Sequence, residues 1–348
     1  MKATFVSTYG VSNSTRLSIL KMQTELATKT KELGSGRWAD IGLQLGNKTG
    51  RTVSLRQDYL RLDSIIDTNG LVKSRLDASQ ATLDGVRTMA EDFVKTLLAI
   101  RDGDTGPAIA KTEAKNNLEA LIASLNISID GQYLFAGINT DVRPINDYFA
   151  PASAAKTAVD NAFLAEFGFT QNDPAIENIT PAQMEAFLDG TFAGLFDPAS
   201  WVPDWSSASD QNVRSRISTS ELIETSANAN EEPLRMIAMA YTMVAEFGST
   251  DLAEGTYQAV IDKAAVMVSN AVQGIVVMQA RLGTAQERVT SATERMEVQL
   301  DILNTHINEL ELVDPYETQV RISTLETQLD MALAMTARAQ QLSLLNYL

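Results

Sequence analysis

The chain has 348 residues, longer than one ordinary domain of about 100–200 residues, and its 45% apolar content is enough for a substantial core. A formal net charge of −16 argues against binding nucleic acid or an anionic membrane, both of which need basic surface. With no cysteine and one histidine, His306, thiol chemistry and cysteine–histidine metal sites are excluded, and no cofactor is expected.

Residues 1 to about 15 are rich in Ser, Thr and Asn and show little periodicity. They lack an apolar stretch of about 7–15 residues before a small-residue cleavage site, so no cleaved signal peptide is expected. No window approaches about 18 uninterrupted apolar residues, so no membrane span is expected either. A helix then carries Ile19, Met22, Leu26 and Leu33 at coiled-coil spacing until Gly34-Ser35-Gly36 breaks it. Residues 37–50, with Gly42, Gly46 and Gly50, read as a loose connector.

From about Leu55 to Ile100 one long helix is predicted. Its stripe of Leu62, Ile65, Asn69, Val72, Leu76, Ser79, Leu83, Val86, Ala90, Phe93 and Leu97 alternates steps of three and four. Gly and Pro in 102–107 end it, and a second helix, about 108–129, folds back. Asp130-Gly131 signals a turn, and Gln132 to Ala136 reads as a short strand. Residues 141–209 hold six prolines between Pro144 and Pro203 together with Trp201 and Trp205, and read as an inserted small domain with helices near 152–166 and 181–189.

Residues 213–223 suit extended structure, as a hairpin. Helix resumes at about Pro233 and runs to Phe247. Another starts near Thr256, with a seam read as Ile275, Met278, Leu282, Ala285, Val289, Ala292, Met296, Gln299, Leu303, His306, Leu310 and Val313. Asp314-Pro315 punctuates it, and a last helix carries Ile322, Leu325, Leu329, Ala332 and Ala339. The expected fold is mainly α: a long antiparallel helical bundle or coiled coil with a short β-hairpin region and a small inserted domain. The expected divisions are 1–45 with 315–348, 46–140 with 210–314, and 141–209.

No set of residues converges on a reaction, and no enzyme activity is expected. His306 reads as a polar or part-exposed seam residue. Gly46-Asn47-Lys48-Thr49 fails as a phosphate loop, because Asn47 separates Gly from Lys and no apolar strand precedes it. The carboxylate pairs Asp102/Asp104, Glu231/Glu232 and Glu309/Glu311 read as solvated surface, and three Asn-x-Ser/Thr tripeptides, at Asn13, Asn126 and Asn178, are discounted as glycosylation acceptors. Asn69 and Ser79 either specify helix register or sit at a solvent edge. For a carbohydrate-binding or enzymatic insert, exposed tryptophans would favour binding, whereas buried ones would favour a plain core. Narrow apolar stripes on short terminal helices, marginal alone in water, call for burial against each other and against neighbouring subunits. Coil in the free chain and helix in the assembly is expected.

Three stretches carry a resemblance. Gly131-Gln132-Tyr133-Leu134-Phe135-Ala136-Gly137 is similar to the Gly-x-Tyr-Leu-Phe-x-Gly motif that follows the second long helix of flagellin-like proteins. Leu312-Val313-Asp314 and the ending Ser343-Leu344-Leu345-Asn346-Tyr347-Leu348 are similar to that family's C-terminal end, and Glu32 to Gly36 to its N-terminal glycine break. Over about 1–140 and 210–348 the chain resembles the bacterial flagellins and, more closely, the flagellin-like hook-associated proteins of the hook–filament junction. Trp38 to Gln44 departs from the family pattern, and the insert matches none. The resemblance implies an axial protein of the extracellular flagellum, exported without signal cleavage by the flagellar type III apparatus. It implies a ring of copies joining a hook-side junction protein to flagellin, and an export chaperone on the C-terminal helices. The assembly stripe expected is Ile19, Met22, Leu26 and Leu33 with Ile322, Leu325, Leu329, Leu342, Leu345 and Leu348. Flagellin itself, the bulk filament subunit, is the alternative.

Overall fold

A computed structural model of the chain describes residues 8–102, 106–249 and 251–345, side chains at 8–12 and 339–345 excepted. The elements are α1 (Thr8–Ser35), α2 (Ile41–Leu45), α3 (Thr49–Ile100), α4 (Gly106–Leu125), β1 (Ser128–Ile129), β2 (Gln132–Tyr133), α5 (Ala154–Phe167), α6 (Pro181–Phe187), α7 (Pro198–Asp204), β3 (Arg214–Arg216), β4 (Leu222–Glu224), α8 (Glu232–Phe247), α9 (Glu254–Glu311) and α10 (Pro315–Leu345). Among the described residues the fold is mainly α, with two antiparallel strand pairs, β1–β2 and β3–β4. Helix α1 starts ahead of its apolar stripe, because nothing in the Ser/Thr/Asn stretch breaks it. Ile129 belongs to β1 rather than to the end of α4, and the strand expected over 132–136 shortens to Gln132–Tyr133.

The chain forms two compact units, one from the described parts of 1–63 and 297–348, the other from 64–296. The second unit has a continuous apolar core that runs from Val72 on α3 to Ala292 on α9. The α3 stripe faces it as the spacing predicts, with Leu76, Leu83, Val86, Ala90, Phe93 and Leu97 buried. Helix α8 is buried on nearly every side, including Leu234, Ile237, Tyr241, Val244 and Phe247, and packs on α4. One 18-residue window of α9 is apolar enough to cross a membrane; Val260, Ile261, Ala264, Val268, Ala271 and Ile275 in this helix are core residues of the unit.

The insert's aromatics belong to the same core. Phe163 stacks on Phe247 with centroids 5.4 Å apart, and Phe187 and Phe192 pack edge-on or tilted around them. Trp201 stacks on Trp205 at 5.1 Å, and Trp205 on Tyr148 at 5.0 Å. The Tyr148 hydroxyl donates to Glu246 Oε1 of α8 at 3.0 Å, and Lys156 Nζ donates to the same carboxylate. Burial, reinforced by the Glu246 charge, pushes the Tyr148 hydroxyl well above the ordinary tyrosine range.

Both polar residues on the α3 stripe are buried. Asn69 Nδ2 donates to the Ile217 carbonyl and to Thr293 Oγ1, each at 3.0 Å, and so ties the turn between β3 and β4 to α3 and α9. Ser79 Oγ satisfies itself on the Arg75 carbonyl one turn back.

The α9 seam needs a correction beyond Met296. Gln299 and His306 are exposed, while Ile307 is buried and Leu300, Leu303 and Leu310 are half-buried. A strict seven-residue repeat drifts about 20° per heptad around a 3.6-residue helix. The step from Met296 to Leu300, four after a previous four, resets the buried face.

Candidate assembly interface

The first unit buries little apolar surface. Leu62, Ile307, Val313, Ile322 and Leu325 are its buried apolar side chains among the described residues. Helix α1 packs against α10. On α1 the four predicted stripe residues, Ile19, Met22, Leu26 and Leu33, are all half-buried. On α10 Ile322 and Leu325 are buried and Leu329 is half-buried. The side chains of Leu342 and Leu345, and Leu348, lie outside the described residues. Arg321 donates to Glu25 Oε1 at 3.0 and 2.6 Å alongside the pair. A two-helix pair covers each stripe from one side only, which is why its α1 half remains part-exposed. Outside the pair, α10 exposes Tyr316, Val320, Met331 and Met335.

A polar clasp joins the two glycine and aspartate breaks at the base of this pair. The Trp38 N–H donates to the Glu311 carbonyl at 3.0 Å, and the Val313 N–H to the Gly36 carbonyl at 3.0 Å. The Glu311 side chain is fully buried and accepts from Arg37 at 3.2 Å and from Arg56 Nε at 2.7 Å, with a second, shorter bond from Arg56. The Arg56 hydrogen bond holds the Glu311 carboxyl below the usual carboxylate range, against the opposing effect of burial. Glu32 is also buried, and accepts from Lys29 and from the Ala39 N–H. Beyond the clasp, Asp314 Oδ1 caps α10 through the Tyr316 and Glu317 N–H groups, with Pro315 in the first turn. Glu311 had read as solvated; its burial is a correction. The local sequence carries no sign of it, because its two arginines lie more than 250 positions away.

The Gly131 to Gly137 motif has a geometric reason in the second unit. Asp130 and Gly131 both have positive φ, 51° and 77°, which makes the β1–β2 connection a type I′ turn. Leu134, Phe135 and Ala136 are buried. The Ala229 N–H donates to the Phe135 carbonyl, the Ser209 N–H to Ala136, and the Ile138 N–H to Gln211. Gly137 has φ 62°, and a Cβ there would collide with the Ser209 and Gln211 carbonyls. The motif therefore clamps both ends of the insert to the helical body. Asn126, discounted as a glycosylation acceptor, adds to the clamp by exchanging two 2.9 Å hydrogen bonds with the Ile145 backbone.

Gly46–Lys48 is a 3₁₀ turn that follows helix α2 rather than a strand. Exposed His306 has Nδ1 3.4 Å from Glu309 Oε2. Glu231 pairs with Arg281, and Asp104 lies outside the described residues. Trp201 and Trp205 are each 1% exposed, the condition set for a plain core. Among the described residues there is no group of three or more metal-ligating side chains.

Comparison with known proteins agrees with this geometry. Residues 6–140 match the bacterial flagellin N-terminal helical region, and residues 266–348 the bacterial flagellin C-terminal helical region, together more than half of the chain. No curated protein matches significantly. Among solved structures, the chain shares its fold with one from Vibrio parahaemolyticus that carries a provisional flagellar hook-associated protein name. The TM-score is 0.52 at 11% identity, covering 76% of this chain and 97% of that one.

Proposed function

The chain belongs to the flagellin family and is a structural protein of the flagellum, and we propose that it acts there as the adaptor at the hook–filament junction. The observation that carries the reading is the contrast between a unit with a complete core and a unit whose apolar stripes are half-covered or bare. Such stripes are completed by neighbours, so copies pair through α1 and α10 into a ring between a hook-side junction protein and flagellin. The same half-covered helices order fully on assembly, and an export chaperone shields the C-terminal ones beforehand. The Gly131 to Gly137 motif and the Asn346-Tyr347-Leu348 ending favour the junction over the bulk filament.

The test is immunogold labelling of flagella from cells that make the protein. One label at the hook–filament boundary, with the protein a trace component of sheared filaments, is expected; label along the whole filament would establish the flagellin alternative. The double variant Leu325→Asp, Leu329→Asp is expected to abolish incorporation, and wild-type motility of that strain would remove α10 from the mechanism.

A further inference from the structure

The two arms of the first unit carry opposite charge. Residues 1–63 hold ten Lys and Arg against five Asp and Glu, whereas residues 297–348 hold two against eight. Part of the imbalance lies on two outward faces. On α1, Leu17 (60% exposed) and Leu20 (49%) lie on the side opposite the stripe that faces α10, and Lys21 and Lys31 share that side. On the last turns of α9, Val298 (61%) and Ile302 (53%) lie opposite the buried Ile307, and Asp301 and Glu309 share their side. From 297 to 311 there are four acids and no Lys or Arg, and one of the four, Glu311, is turned into the clasp. Lys21, Lys31 and Asp301 have no ion pair among the described residues, and Glu309 has only His306.

The α1 face runs over 15 residues from Leu17 to Lys31, about 21 Å of helix, and the α9 face over 12 from Val298 to Glu309, about 17 Å. The two are thus comparable in length, alike in apolar content and opposite in charge. We infer that the outer face of α1 in one copy docks on the outer face of the end of α9 in a second copy of this chain. The contact joins two different patches, so it is heterologous: each copy keeps one free α1 face and one free α9 face, and addition continues until a ring closes or a helical array grows. The lysine and carboxylate rows set register and speed encounter, while the leucine, valine and isoleucine side chains supply the burial. This inference rests on the assembly reading above and specifies which faces of the first unit meet.

The experiment is sedimentation velocity of the full-length chain and of two charge-reversal variants, K21E/K31E and D301K/E309K. Circular dichroism establishes that each is folded. Wild type is expected to self-associate at low salt, about tenfold more weakly at 0.5 M salt. Each variant alone faces like charge on like charge and is expected to stay monomeric. A one-to-one mixture restores opposite charges at every contact, and is expected to associate within about threefold of wild type. Overturning results are a wild type that stays monomeric at low salt, single variants that associate like wild type, or a mixture that remains monomeric. Any of these would leave the junction reading to the immunogold result, and a failure of that labelling would leave this pairing intact.

Discussion

The two units of this chain are both helical, yet they bury apolar surface to very different extents. In the unit formed by 64–296, α8 is buried on almost every side, and the phenylalanines of the insert close over it in stacked and edge-on pairs. In the unit formed by 1–63 and 297–348, five apolar side chains are buried among the described residues, while Leu17, Leu60, Val298, Val320 and Met335 stand in solvent. A helix stripe buried within its own unit stabilises the fold. Under the proposed assembly, a stripe left half-covered is completed by a partner. The difference then separates a body with its own core from a surface completed by neighbours.

The comparison can be broken at its strongest point first. Phe163→Ala removes a side chain in contact with Phe167, Phe187 and Phe247, and is expected to cost the second unit about 3–5 kcal/mol by chemical denaturation. A cost below about 1 kcal/mol would mean that the aromatic cluster is loosely packed.

Gly137→Ala adds left-handed strain to a collision with two carbonyls and is expected to cost about 2–4 kcal/mol. Gly131→Ala is the sharper control. Its φ is also positive but nothing lies within 4 Å of the added carbon, so about 1 kcal/mol is expected. Equal costs, measured by urea unfolding, would show that the motif does not clamp the insert.

Glu311→Gln removes a charge from the clasp of the first unit and is expected to cost about 1–2 kcal/mol there, the modest value reflecting that Arg37 and Arg56 are part-exposed. The Glu311 carboxyl is held below its unfolded value, so its contribution is present above the unfolded carboxylate range and is lost as pH falls through the folded value. Amide protection factors near Gly36 and Val313, corrected for the intrinsic pH dependence of exchange, should fall in wild type on acidification below the ordinary carboxylate range and change less in the variant. Identical acid profiles would remove Glu311 from the clasp.

Much of this was legible in the sequence, because long helices write their packing as periodicity. The α3 stripe from Leu62 to Leu97 and the α9 stripe from Ile275 to Met296 face inward where the spacing puts them. Beyond Met296 the expected seam is off by one position at Gln299 and His306, where Leu300 and Ile307 turn inward, while Leu303, Leu310 and Val313 face in as expected; an unbroken heptad cannot be told from one that resets until the partner is present. The α1 and α10 stripe residues Ile19 to Leu33 and Ile322 to Leu329 could be read from spacing. Their half-coverage could not, because it depends on what packs opposite. The clasp was invisible for a different reason: Glu311 meets Arg37 and Arg56 only through the fold, and no local pattern separates a buried carboxylate from a solvated one. Trp201 and Trp205 were equally silent, because composition does not say whether an indole faces its own core or a ligand.

The measurement that tests the central claim most directly is limited proteolysis of the purified chain, free and assembled, with mass spectrometry of the fragments. The account predicts that cleavage of the free chain begins within about residues 1–45 and 315–348, leaves the body of 64–296 intact, and is suppressed at both ends on assembly. Ends as resistant in the free chain as the body, with no change on assembly, would contradict it.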